Sequence, residues 1–84
     1  PGNPVVGYNL ALLLRRQGDL ERAQFYIRRL NNSELANAQS LWLGMKIEHA
    51  LRNDVALRQL SEQLQRRFPQ SPEAGLWARR AFDE

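Results

Sequence analysis

The stretch RRQGDLERA, from Arg15 to Ala23, decides the fold of this chain. Before it, YNLALLLRR predicts one helix, and after it, ERAQFYIRRL predicts another. Gly18 can take the left-handed conformation that ends a helix, and Asp19 can cap the first turn of the next. Because the break is so short, the two helices are predicted to lie side by side as an antiparallel hairpin.

The first two helices are bounded by residues typical of helix ends. Asn3 is a predicted N-cap and Pro4 fits the first helical position; this helix is predicted to end near Gln17. The second helix follows Asp19 and ends at the triplet NNS. Its apolar residues recur at steps of three and four, as expected for one buried face: Leu20, Ala23, Ile27 and Leu30.

Three more helices are predicted downstream, and no strand. Ser33 is expected to cap a long third helix over residues 34–51, and a fourth helix follows the triplet RND. The fourth ends at FPQSP, since Pro69 cannot sit inside a helix. Ser71 and Pro72 open a short fifth helix, EAGLWARRAF. The predicted fold class is therefore all-α.

Length and composition narrow the class of protein. A chain of 84 residues is one small domain or a fragment of a larger array. It contains no cysteine, which excludes disulfides and zinc–thiolate sites within it. No run approaches the roughly 20 apolar residues of a membrane span, and no signal peptide is visible.

The basic residues are mostly arginines, and they come in pairs. Eleven arginines and one lysine give a net charge of +3, which raises the alternative of nucleic-acid binding. Three of the pairs, however, fall near predicted helix C-termini, where cations meet the negative end of the helix dipole. Several arginines, in these pairs or elsewhere, also have an acidic partner one turn earlier: Glu48–Arg52, Asp54–Arg58 and Glu62–Arg66. Binding of nucleic acid is therefore the less favoured alternative.

The chain compared with itself shows an internal repeat. Five pairs of similar residues lie 33 positions apart: Leu10 and Leu43, Ala11 and Gly44, Leu14 and Ile47, Ala23 and Ala56, Ile27 and Leu60. The same offset relates the first helices of the two hairpins and also their second helices. The turns between the two helices are therefore predicted to have equal length in both hairpins. Closely packed helices need small residues where they cross, and we predict that role for four residues besides the turn residue Gly18: Ala11, Ala23, Gly44 and Ala56.

This pattern resembles the tetratricopeptide repeat, a helical hairpin of about 34 residues. The resemblance rests on Tyr8, Leu10-Ala11, QGD, Ala23 and Ile27, and in the second copy on WLG and Ala56, where LRND replaces the usual glycine turn. It implies a single domain over 1–84, with repeat one at 3–32, repeat two at 33–69 and a capping helix at 71–83. Trp77 and Phe82 are expected to cover the last repeat.

A narrower resemblance concerns the stretch that begins NAQSLWLGMKIEHA and ends FPQSPE. It is similar to the C-terminal part of the type IV pilus biogenesis and stability proteins, the PilF/PilW family of secretin pilotins. The resemblance implies a periplasmic lipoprotein of the outer membrane that helps the pilus secretin to assemble. Its lipid anchor would lie outside these residues. Without this resemblance the compartment, cytoplasmic or other, stays open.

The sequence favours a binding function over a catalytic one. His49 is the only histidine, and no serine stands at a suggestive spacing from it. We therefore expect a non-enzymatic protein without cofactor, metal or small-molecule substrate, whose partner is a protein such as an outer-membrane secretin. In this repeat class the first helix of each pair lines the concave face. That resemblance assigns partner binding to eight residues: Tyr8, Asn9, Leu12, Arg15, Arg16, Leu41, Trp42 and Met45.

Three alternatives stay open beside that assignment. The chain fits equally a generic repeat adaptor of an unrelated system, with another partner. Trp42 and Leu12 can instead pack on each other between adjacent helices. The apolar residues on the other face of the first helix can be the uncovered edge of a longer array.

Overall fold

The computed structural model describes residues 3–84 and confirms an all-α fold of two helical hairpins and a short fifth helix. Pro1 and Gly2, the first residues of the predicted domain, lie outside this range. The helices are α1 (Pro4–Arg16), α2 (Leu20–Asn31), α3 (Ala38–Ala50), α4 (Asp54–Arg67) and α5 (Pro72–Ala78). Helices α1 and α2 form the first hairpin and α3 and α4 the second, and α3 also packs against α2. No strand occurs within residues 3–84.

The break at Gly18 forms the predicted hairpin turn. Gly18 has a φ of +80°, in the left-handed region. The N–H of Asp19 donates to the carbonyl of Leu14 at 2.9 Å, closing the end of α1. The Asp19 carboxylate then accepts from the N–H of Arg22 at 3.3 Å and caps α2. Two adjacent residues thus end one helix and start the next.

The second hairpin repeats this turn without a glycine. Arg52 takes the left-handed conformation, with a φ of +60°, and the Asn53 side chain caps α4. Gly18 and Arg52 are 34 residues apart, and the breaks at 17–19 and 51–53 have the equal length that was predicted. The N-caps follow the same spacing and are Asn3, Asn37 and Ser71.

The structural period is therefore 34 residues, one more than the 33 indicated by the side chains. The difference arises in the second hairpin, where the small residue of the first helix lies one position nearer to the N-cap. Gly44 follows Asn37 by seven residues, whereas Ala11 follows Asn3 by eight. Side-chain identities and helix ends thus have different spacings.

Helix α3 begins at Ala38, which corrects the predicted start at Glu34. The hydroxyl of Ser33 donates to the carbonyl of Leu30 at 2.7 Å and accepts from the N–H of Leu35. Ser33 therefore stabilises the link after α2 and does not cap α3. The cap is Asn37, whose side chain accepts from the N–H of Ser40 while the Ser40 hydroxyl accepts from the N–H of Asn37, both at 2.8 Å. This reciprocal capping box fixes the start of α3.

Helix α5 ends at Ala78 instead of continuing to Phe82. Arg80 takes a φ of +53°, and the N–H of Ala81 donates back to the carbonyl of Leu76 at 2.9 Å. These are the features of a left-handed helix end. Residues 79–84 therefore follow α5 as a non-helical segment, which we call the 79–84 segment.

The core consists of two clusters on opposite sides of α3. The first lies between α1, α2 and α3 and comprises Ala11, Leu14, Ala23, Ile27, Leu30, Leu43 and Ile47. The second lies between α3, α4 and α5 and comprises Ala36, Leu41, Trp42, Met45 and Leu64. Trp77 and Phe82 pack against this second cluster, as predicted. Of the predicted small-residue contacts, Ala11, Ala23 and Gly44 are buried and Ala56 is half-buried.

Two glycines offer a matched test of the helix crossing. A Cβ on Gly44 would lie 2.7 Å from Nδ2 of Asn31, whereas a Cβ on Gly7 would meet no atom within 4 Å. Gly44→Ala is expected to lower the free energy of unfolding by about 1–2 kcal/mol in total, because the steric strain against Asn31 outweighs a gain of about 1 kcal/mol in helix propensity. Gly7→Ala is expected to raise it by about 0.5–1 kcal/mol. Urea unfolding measures the free energy of unfolding of both variants. Equal effects of the two substitutions would contradict the close approach of α2 to α3 at Gly44.

Candidate interaction surfaces

Three of the eight predicted partner-binding residues are core residues, which corrects the sequence-based assignment. Leu41 and Met45 are fully buried and Trp42 is 4% exposed. All three belong to the second core cluster, because α5 and Phe82 cover that side of α3. Trp77 and Phe82 were expected to cover the last repeat, so the signal that buries these residues was present in the sequence.

The other five predicted residues lie on α1 at or near the surface. Tyr8, Leu12 and Arg15 are half-buried, and Asn9 and Arg16 are exposed. Tyr8 and Leu12 pack against the first core cluster. They do not join the three core residues in one continuous exposed surface.

The 79–84 segment places an aromatic ring against α3. The Phe82 ring lies between His49, at a centroid distance of 3.8 Å and an angle of 7°, and Trp42, at 5.5 Å and 16°. Trp77 meets the same ring edge-on at 6.0 Å. Offset stacking and edge-to-face contacts are the favoured arrangements of aromatic pairs. We call these four rings the aromatic stack.

Three side chains donate hydrogen bonds to the main chain of the 79–84 segment. Nη2 of Arg15 donates to the carbonyl of Phe82 at 3.4 Å. Nε1 of Trp42 and Nζ of Lys46 donate to the carbonyl of Glu84 at 3.2 and 3.3 Å. Burial, and secondarily the positive charge of Arg15, lowers the pKa of Lys46. The surface under the segment is thus aromatic and cationic.

An open apolar groove lies on the first hairpin, between α1 and α2. We call it the first-hairpin groove; its volume is about 560 Å³. Val6 and Leu35 on its wall are 61% and 49% exposed. Its lining residues are Asn3, Pro4, Val6, Gly7, Leu10, Tyr26, Arg29, Leu30, Ser33 and Leu35. Sequence reasoning anticipated apolar exposure on this side of α1 but not the contribution of Tyr26 or of the link after α2.

A polar groove of about 360 Å³ crosses the second hairpin, with Gly44 and Glu48 on its wall. Glu48 is 1% exposed. Its carboxylate accepts from Nε of Arg28 at 2.8 Å and from Nε2 of Gln24 at 2.9 Å. Hydrogen bonding to Glu48 raises the pKa of Arg28 above its ordinary value, against the opposing effect of partial burial. Glu48 therefore ties α3 to α2.

This pairing corrects the ion pairs predicted from sequence. Glu48 does not pair with Arg52, because its side chain points towards α2. Within residues 3–84, the pairs closer than 4 Å are Asp19–Arg22, Arg28–Glu48 and Arg79–Glu84. The predicted Asp54–Arg58 and Glu62–Arg66 pairs are not among them. Arginine pairs do stand in the last turns of α1, α2 and α4, as predicted.

The first-hairpin groove has an equivalent position on the second hairpin. Ser40, Gly44 and Leu60 of the second hairpin lie 34 residues after Val6, Leu10 and Tyr26 of the first. In the second hairpin α2 packs against α3 at this position, and the polar groove lies open between α2 and α4. Nδ2 of Asn31 donates to the carbonyl of Ser40 at 2.9 Å, and the Ile27 side chain approaches Gly44. Among the described residues, no helix occupies the first-hairpin groove in the same way.

Comparison of the chain with protein-family models, with curated proteins and with solved structures found no match. Within residues 3–84, no group of three or more His, Cys, Asp or Glu side chains could hold a metal ion. Over the same residues, none of the helices has both the length and the apolar character needed to cross a membrane.

Proposed function

We propose that this chain is a non-enzymatic scaffold that binds a protein partner, and that the first-hairpin groove receives an amphipathic helix of that partner. One observation carries the proposal: at the equivalent position of the second hairpin, α2 covers α3 through Ile27 and Asn31. The first-hairpin groove has Leu10 where the second hairpin has Gly44. We therefore expect it to accept a helix that carries a small residue, in place of Asn31, opposite Leu10.

The chemistry of the groove defines the helix that fits it. Its walls are mostly aliphatic and aromatic, and an exposed apolar surface of this kind is typical of an interaction site. Among the described residues that line it, Arg29 is the one cationic side chain and none is a carboxylate. The occupant is therefore an amphipathic helix with an aliphatic stripe and an acidic residue opposite Arg29. The α1 residues Tyr8, Asn9, Leu12, Arg15 and Arg16 remain a proposed neighbouring contact.

The resemblance to the tetratricopeptide repeat supports the scaffold proposal, and the 34-residue spacing of helix ends agrees with it. On the narrower resemblance to pilus biogenesis proteins, we propose that the partner belongs to the outer-membrane secretin assembly. In that setting the chain acts on the periplasmic side of the outer membrane, held there by an anchor outside these residues.

Two adjacent valines test the use of the groove. Val6 lines it and Val5 does not, although they are 61% and 63% exposed. Val6→Asp is expected to weaken binding to a purified type IV pilus secretin at least tenfold, because a carboxylate would be desolvated in the groove. Val5→Asp is expected to leave affinity within twofold. Biolayer interferometry measures both variants.

The outcome separates the parts of the proposal. If the secretin binds and the two variants weaken binding equally, the groove is not the contact surface. If the unsubstituted chain does not bind the secretin, the pilus assignment fails, and only a scaffold for another partner remains.

A further inference from the structure

The face of α3 beneath the 79–84 segment is a second surface, separate from the first-hairpin groove. Its contacts to the segment are of two kinds. Arg15, Trp42 and Lys46 donate to main-chain carbonyls, which every peptide possesses. The side chain that enters the aromatic stack is Phe82. These contacts recognise one aromatic residue and a peptide backbone.

The 79–84 segment lies on the surface rather than within the helical framework. His49, on one side of the Phe82 ring, is exposed, and Phe82 is half-buried. The ion pair within the segment, Arg79–Glu84, has side chains 61% and 64% exposed. The segment leaves α5 at Arg80, whose left-handed φ of +53° makes a bend outside every helix. Its release would uncover Trp42 but would leave the packing of α3 against α4 and α5 in place.

The charges around the aromatic stack define the peptide further. Arg15 and Lys46 lie beside it, and Lys46 is close enough to the Trp42 ring, at 5.9 Å, for a cation–π contact. The segment itself places two acids, Asp83 and Glu84, directly after its aromatic residue. An aromatic residue followed by acidic residues matches this surface in both shape and charge.

We infer that this face of α3 is a binding site for a partner peptide with an aromatic residue followed by acidic residues, and that the 79–84 segment is its internal competitor. Because the segment is tethered, its effective concentration at the site is in the millimolar range. A partner peptide must displace Phe82, so the free site is presented only when the segment moves away.

The test uses the full chain and a free peptide of sequence RRAFDE, which copies residues 79–84. The indole N–H resonances of Trp42 and Trp77 are followed by NMR as the peptide is added. Phe82→Ala, which empties the stack, is expected to bind this peptide at least tenfold more tightly than the parent. Phe25→Ala removes an exposed phenylalanine of α2 and is expected to bind as the parent does. A peptide with alanine in place of phenylalanine is expected not to bind.

A second variant keeps Phe82 and all core residues. Arg80→Val disfavours the left-handed bend, because a β-branched residue rarely adopts positive φ. It is expected to release the 79–84 segment and to bind the peptide more tightly than the parent does. If neither Phe82→Ala nor Arg80→Val gains affinity for the peptide, the segment is a structural cap only and the inference fails. That result leaves the comparison of Val6→Asp and Val5→Asp unaffected, since Val6 lies in the other groove.

Discussion

Replacement of Trp42 by alanine is expected to lower the free energy of unfolding by about 3–5 kcal/mol, the usual cost of removing a buried tryptophan. Trp42 is 4% exposed in the second core cluster. Its indole stacks on Phe82 and donates to the carbonyl of Glu84 at 3.2 Å. The substitution therefore removes core packing and one attachment of the 79–84 segment. Thermal and urea unfolding followed by circular dichroism measure the loss.

Tyr8→Ala serves as the comparison for Trp42→Ala. Tyr8 was predicted to share a binding surface with Trp42, but it is half-buried and packs at the edge of the first core cluster. Its removal is expected to cost clearly less stability than the removal of Trp42. A Trp42→Ala variant that unfolds at the same urea concentration as the parent would show that the tryptophan is not a core residue.

Arg28→Ala is expected to lower the free energy of unfolding by about 2–3 kcal/mol, less than the loss of a fully buried ion pair, because Glu48 is buried but the Arg28 side chain is 47% exposed. The change leaves the carboxylate of Glu48, 1% exposed, with only Gln24 as a donor. Arg22→Ala is the matched control, because Arg22 pairs with Asp19 at the surface and its side chain is 67% exposed. A surface pair of this kind contributes about 0–1 kcal/mol. Equal losses in the two variants would contradict a structural role for Glu48.

The helical framework could be predicted from the sequence because its signals are local. Asn3, Asp19 and Ser71 were expected to cap helices, and each does so. Of the two helix ends predicted wrongly, the start of α3 is one where two local signals compete. Ser33 and Asn37 are both acceptable caps, and the partner residue Ser40 decides for Asn37. Arg80 carries no glycine-like signal, so the end of α5 could not be read from the sequence.

The candidate surfaces were harder to predict because they depend on packing between distant elements. Trp42 and Met45 fit the pattern of exposed first-helix residues, but Trp77 and Phe82, 32–40 positions later, pack against their cluster. Glu48 has an arginine one turn away in sequence, yet it pairs with Arg28 of another helix. The first-hairpin groove also uses Leu35 from the link after α2. The hydrophobic periodicity within one helix cannot indicate contacts between residues that are distant in the sequence.

The most direct measurement of the central claim, that the first-hairpin groove accepts a helix as the second hairpin does, uses an extended chain. Residues 3–36 are copied in front of Asn3, which keeps the 34-residue spacing and sets the copied α2 against the groove. The copy carries Asn31→Ala, because Leu10 stands where the second hairpin has Gly44. Burial of Val6 and Leu10 is expected to raise the free energy of urea unfolding by at least about 2 kcal/mol. Val6→Asp in the original hairpin is expected to cancel this gain, and Val5→Asp to preserve it. An extended chain no more stable than the parent, or a gain that Val6→Asp leaves intact, would contradict the claim.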